Sequence, residues 1–218
     1  MPGLRLAWTI TEEGELLPVP QDKVRGSERK ADGRFLLLCN ADLDHLVTLS
    51  RREVPGALCP GERPQFFVYA DWPLDAPGLT AATDVLEGVA EAAGSYWAHV
   101  TPENVVVEIA DQVIRTHPKP VTSPRGLPML KPASDLHSVD VPRHLGWLNY
   151  WSAAAARAIG FPDPARDAEL VSRSRRTELG GWIVRLTDAP LDLDNPAHLQ
   201  TLLQAYERFP KIGGRDAS

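Results

Sequence analysis

LGWLNYWSAAAARAIG (145–160) and GGWIVRLTDAPLDLDNPAHLQTLLQAYERF (180–209) decide the fold. In the first stretch, Leu145–Tyr150 predicts a strand. Ser152 then caps an alanine-rich helix, Ala153–Ile159, which Gly160 ends. A short helical turn is expected over Pro164–Leu170. Val171–Thr177 and Trp182–Thr187 predict two strands flanking Glu178–Gly181, whose paired glycines suit a tight hairpin. Asn195 and Pro196 open a last helix with Leu199, Leu202, Leu203 and Tyr206 as its buried stripe, and Pro210 and Gly213 close it. The segment is closely specified and carries no cysteine, no histidine pair and no phosphate-binding glycine loop. Such a stretch suits a scaffold for binding.

Upstream, Leu4, Leu6, Trp8 and Ile10 alternate with Arg5, Ala7 and Thr9, the period of a half-buried strand. Residues 11–33 predict a long polar connection. Strands follow at Arg34–Cys39 and His45–Ser50, joined through Asn40–Asp44, and a fourth at Gln65–Trp72 after a Pro/Gly loop over 55–64. Leu79, Ala82, Leu86, Val89 and Ala93 recur at helical spacing, with Asp84, Glu87 and Glu91 on another face and Gly94 at the C-terminal cap. Tyr96–Val100 predicts a strand. Thr101 as N-cap and Pro102 as first residue open a helix carrying Val105, Val106, Ile109 and Val113 inside, with Asn104, Glu108 and Asp111 outside. His117–Pro142 holds six prolines and predicts a connection packed on the surface through Leu127, Met129 and Leu130. The expected class is α+β, a mainly antiparallel sheet with helices packed on it. The expected organisation is a single domain over 1–218: an N-terminal half to residue 116, the Pro-rich connection 117–142, and a C-terminal half over 143–213. Strands followed by a helix in each half leave open two similar halves.

The chain of 218 residues has 43% hydrophobic and 24% charged residues, ordinary values for a globular protein. No apolar run approaches the roughly 20 residues of a membrane span, and MPGLRLAWTI reads as a strand and not as a leader. Cys39 and Cys59 predict reduced, buried thiols of a cytoplasmic protein, a single disulfide being the lesser alternative. The net charge of −6 is unevenly spread. Residues 1–116 hold 10 Lys/Arg against 18 Asp/Glu, and residues 117–218 hold 13 against 11. From Pro64 to Ile114 there are 51 residues with no Lys or Arg. Nucleic-acid binding needs the opposite sign, whereas a basic protein partner fits.

No catalytic pattern emerges. His45, His99, His117, His137, His144 and His198 show no i,i+4 pair, so each reads as structural or surface, and no zinc spacing joins Cys39 to Cys59. No nucleophile elbow, Walker loop or dinucleotide fingerprint is present. Asp188, Asp192 and Asp194 fail the calcium-loop pattern, so turn formation and capping are the better reading. Trp147, Tyr150, Trp151 and Trp182 lie among Ala, Leu and Gly, which favours core packing over a stacking platform.

With these residues in place the C-terminal pattern resembles bacterial proteins akin to the immunity protein 52 family and, more distantly, the type VI secretion immunity protein family. Gly146, Trp147, Leu148, Ser152, Gly160, Pro190 and Asp192 occupy the nearest matching positions, and the similarity covers most of 65–209. Pro190-Leu191-Asp192 shortens that pattern's P-x-x-D loop by one residue. The resemblance implies a further strand and helix ahead of PGLRLAWTI (2–10), which would leave the first strand here at a sheet edge. It also implies a non-enzymatic cytoplasmic protein, without cofactor or metal, that neutralises a cognate toxin, a basic nuclease among the candidates. The acidic helix faces then make Asp84, Glu87, Glu91, Glu108 and Asp111 the expected partner-binding residues. A small-molecule-binding or enzymatic domain with a pocket near Trp147, Trp182 and Asp192 is the alternative. Oligomeric state stays open.

Overall fold

The computed structural model describes residues 6–11, 14–20, 37–42, 46–52, 65–71, 73–113, 124–132, 135–136 and 138–215. Two compact units divide after Gly78. The fold is α+β, with antiparallel sheets and helices packed on them.

The first unit is a five-stranded antiparallel sheet in the order β2-β1-β3-β4-β5. Its strands are β1 (Trp8–Ile10), β2 (Leu16–Pro18), β3 (Leu38–Cys39), β4 (Val47–Arg52) and β5 (Gln65–Ala70). β2 lies inside the stretch expected to be a connection. It is three residues long and ends in Pro18, opposite Trp8, and a proline without an N–H is tolerated there because β2 is an edge strand. Gly14, at φ +85, turns the chain between β1 and β2. β1 therefore has neighbours on both sides and is not the exposed edge that the resemblance implied. The Asn40 side chain accepts from the Val47 N–H at 3.0 Å and closes the β3–β4 turn. Leu38, Cys39 and Val47 form buried positions, and Cys39 is a free thiol. Cys59 and the 55–64 loop lie outside the described residues.

The second unit is built on a four-stranded antiparallel sheet in the order β6-β7-β9-β8. Its strands are β6 (Trp97–Val100), β7 (Leu148–Trp151), β8 (Arg175–Arg176) and β9 (Trp182–Arg185). The helices are α1 (Ala76–Ala92), which starts in the last residues of the first unit, α2 (Glu103–Gln112), α3 (Ala153–Ile159), α4 (Ala168–Ser172) and α5 (Pro196–Arg208). Register assigns the faces, because alternate residues share a side. Trp97, Trp151 and Trp182 lie opposite one another on one face, with His99, Asn149 and Val184 beside them. Trp151 packs edge-on against Phe161 and Phe209, which lie just after α3 and α5. The other face carries Ala98, Tyr150, Ile183 and Arg175, and α1 lies on that side, since its Asp84 and Glu87 meet Arg175. Covered on both faces, all four residues of β7 are buried.

Local signals explain several elements. Ser152 accepts from the Ala155 N–H at 3.1 Å and Gly160 adopts the left-handed conformation, so α3 begins and ends where its sequence says. Asn195 caps α5 through the Ala197 N–H at 3.0 Å, with Pro196 in the first turn. Other elements depart from expectation. The buried stripe of α1 is Ala82, Leu86 and Ala90, and Val89 is exposed. Thr101 caps nothing: Pro102 holds the N-cap position of α2 and no side chain bonds to that end. Val106 is exposed where a buried residue was expected. Only Arg175–Arg176 of Val171–Thr177 pairs as a strand, because α4 takes up Val171 and Ser172.

The Pro-rich connection was expected to join two halves from the surface. Its described residues instead enter the core of the second unit, with Leu127, Leu130 and Leu136 buried. Leu130 donates its N–H to the Gln112 carbonyl at 2.7 Å, and Lys131 donates to the Gly213 carbonyl at 2.9 Å. β6 precedes this connection in the chain and β7 follows it, yet the two strands pair along their length.

Candidate functional site

Two constellations in the second unit place polar groups where they are not consumed by the core. The first is the acidic row of α1. Asp84, Glu87 and Glu91 recur at three- and four-residue spacing and so share one side of the helix. That row has no Lys or Arg nearby in sequence, but the sheet brings one to it. The Arg175 guanidinium donates to Asp84 Oδ1 at 3.1 Å and also to Glu87 Oε2. Glu91 Oε1 accepts the Leu179 N–H at 3.3 Å, tying the hairpin tip to the end of the helix. Beyond the terminal Trp97–Trp151–Trp182 row, Tyr96 and Leu179 stand out: they are 49% and 69% exposed. At the hairpin tip, Leu179 beside Glu91 sets a large exposed apolar side chain against a carboxylate, the make-up of an interface patch.

The remaining acidic residues are elsewhere. Glu108 on α2 is held by Arg125, whose Nε lies 2.8 Å from Glu108 Oε2. The same guanidinium reaches Asp194 at 2.8 Å and the Leu193 carbonyl at 2.9 Å. Asp111 is exposed, and among the described residues it makes no ion pair. The structure thus joins Asp84, Glu87 and Glu91 to one patch and gives Glu108 a different partner. Sequence reasoning missed Arg175, Leu179 and Tyr96. A leucine in a turn that otherwise takes polar residues was the available signal for Leu179; Arg175 had none, since it lies 91 residues from Asp84.

The second constellation is a histidine pair, and the separation of 45 residues hid it from any spacing rule. His99 is on β6. His144 sits in the turn before β7, which Asn149 folds back by accepting the Gly146 N–H and donating to the Gly146 carbonyl, both at 2.9 Å. The two Nε2 atoms are 3.0 Å apart, with ring centroids at 4.2 Å and planes at 79°. Trp97 meets His144 edge-on at 6.0 Å, and the Arg143 guanidinium lies over the Trp97 ring. Burial pushes His99 down to about 4. Burial also holds His144 well below its ordinary range, helped by the charges of His99 and Arg143. Both rings are therefore neutral at physiological pH. Close by, the Thr101 hydroxyl is buried and has no hydrogen-bond partner among the described residues. It lies 2.3 Å from where a side chain on Gly146 would begin, which is why that position takes glycine.

Trp147, Trp182 and Asp192, weighed from the sequence, each have partners within the fold. Trp147 is buried with its Nε1–H on the Thr187 carbonyl at 2.8 Å, and Trp182 packs edge-on against Phe161. Asp192 Oδ1 accepts the Asp194 N–H at 3.0 Å in the turn before α5. Trp147 and Trp182 thus engage core neighbours, and Asp192 engages the turn before α5. No group of three or more His, Cys, Asp or Glu capable of holding a metal occurs among the described residues. Within those residues no helix is long and apolar enough to cross a membrane.

Comparison with curated proteins and with solved structures returned no match. A family match covers residues 1–217, and the chain belongs to that family, DUF5953, described as a domain of unknown function.

Proposed function

We propose that this chain is an immunity-like binding protein of the cytoplasm, which neutralises a cognate bacterial toxin by occupying its surface without a catalytic step. The observation that carries this reading is the exposed Leu179 set against the α1 carboxylates at the β8–β9 hairpin. Leu179 offers apolar contact area, and Glu91 sits against the same hairpin tip. The stretch 64–114, acidic and without Lys or Arg, favours a basic partner, such as a nuclease, over nucleic acid. Arg175 holds Asp84 and Glu87 in place, so part of the ordering cost of the carboxylates is met before binding.

The test is co-expression with the toxin encoded beside the gene, scored by survival and by isolation of a complex. Wild-type protein protects. Leu179→Asp combined with Glu91→Lys removes protection while leaving the thermal transition in place. Equal killing with and without the wild-type protein, and no complex, sinks the proposal.

A further inference from the structure

We propose that His99 and His144 form a two-histidine binding site for a divalent transition ion that prefers nitrogen ligands, Zn2+ or Cu2+. The separation of their Nε2 atoms carries the argument. At metal–nitrogen distances of about 2.0–2.1 Å, two imidazoles on adjacent coordination positions stand about 3 Å apart. The observed separation is 3.0 Å.

The rings meet edge to face, with centroids 4.2 Å apart and planes at 79°, so they are not aligned end to end. The rings are also held. His99 is fixed by the β6–β7 ladder opposite Asn149, and Asn149 closes the loop that carries His144. Ligands held by packed elements lose little freedom on binding. The unpartnered Thr101 hydroxyl adds a free polar group beside His99, suited to a water of the ion's remaining coordination sphere.

The competing explanation is an imidazole–imidazole hydrogen bond serving only the fold. That bond needs opposite tautomers, with one proton between the two nitrogens. To take up an ion, that proton leaves Nε2 and the same ring acquires one at Nδ1, with no change in charge. Neither Nδ1 has a hydrogen-bond partner among the described residues, so both are open to carry it. Arg143 works against a cation, since its charge already acts on His144. With two protein ligands and a nearby guanidinium, the site binds more weakly than a closed four-ligand zinc centre.

The full chain is titrated calorimetrically with Zn2+ in a non-chelating buffer near neutral pH, and its Cu2+ form is examined by pulsed electron paramagnetic resonance. Expected results are one ion per chain and two imidazoles on copper. Binding becomes at least about tenfold weaker in His99→Gln and in His144→Gln. It is unchanged in His198→Gln and tighter in Arg143→Gln. Failure of the wild type to bind Zn2+, or affinity unchanged in both His99→Gln and His144→Gln, overturns the proposal. Because the Gln variants can lose the fold, the copper spectrum of the wild type stands as a second arm. Fewer than two imidazoles on the ion also overturns the site.

Discussion

Asp167 has no exposed side-chain surface, and its carboxylate is met by the Arg208 guanidinium at 2.6 and 2.8 Å and by the Asp163 N–H at 2.6 Å. A buried charge is tolerable only while such partners remain. Arg208→Ala leaves the carboxylate uncompensated and lowers stability by about 3–5 kcal/mol, read from the urea midpoint. The histidine pair makes a pH-dependent contribution of determined sign. Both rings resist protonation in the fold, so below the ordinary value of 6.5 the unfolded chain binds protons that the folded chain refuses. Stability from this source is present above pH 6.5 and is lost as pH falls towards about 4. Urea midpoints measured between neutral and mildly acidic pH should fall in the wild type, and the double change His99→Gln with His144→Gln should flatten that decline. An unaltered slope in the double variant would remove the pair as its source. At this scale, residues acting on their own segment were legible in the sequence: Ser152, Gly160 and Asn195 cap where they stand. Asp167–Arg208 and His99–His144 were not, because 41 and 45 residues separate the partners and only the folded sheet brings them together.

Elements follow the same division. α3 is bounded by a serine cap and a left-handed glycine, both local devices, and its limits agree with the sequence to the residue. Ser152→Ala removes the acceptor for the Ala155 N–H and should cost about 1 kcal/mol, measurable as a lower thermal midpoint without change in far-ultraviolet ellipticity. The two shortest strands were hard to see. β8 has two residues and β2 three, too few for an alternating pattern to show; among the described residues β8 pairs with β9 alone, and β2 exists because β1 turns back at Gly14. Helical periodicity located α1 but turned its stripe, since Ala90 and not Val89 faces inward. Alanine and valine are too alike in apolar character for spacing alone to choose between them. The acidic candidates show a further limit. Asp84, Glu87 and Glu91 were found by charge, but their setting depends on the β8–β9 hairpin, which supplies Arg175 and Leu179.

For the molecule as a whole, the pattern of strands and helices along the chain indicated an α+β protein, and the two antiparallel sheets bear that out. The division within the chain was not legible. Prolines over 117–142 mimic a linker, whereas the compact units divide after Gly78, within α1. The reason is register: β6 has β7 as its partner, and Leu127, Leu130 and Leu136 of the connection between them are buried. A chain beginning at Pro73 keeps Asp75, whose carboxylate accepts the Gly78 N–H at 2.8 Å at the start of α1. Residues 73–218 should therefore fold alone with one cooperative thermal transition; a broad, non-cooperative melt would show that the second unit needs the first. The sheet of that unit also places three indoles in register across β6, β7 and β9, of which Trp97 touches His144. A paramagnetic ion or a proton arriving at His144 would draw excitation from that indole, while Trp151 and Trp182 sit farther along the row against Phe161. The protein thus contains its own optical gauge: of the emission of six tryptophans, the part lost in Trp97→Phe reports the occupancy of the histidine pair without any added label.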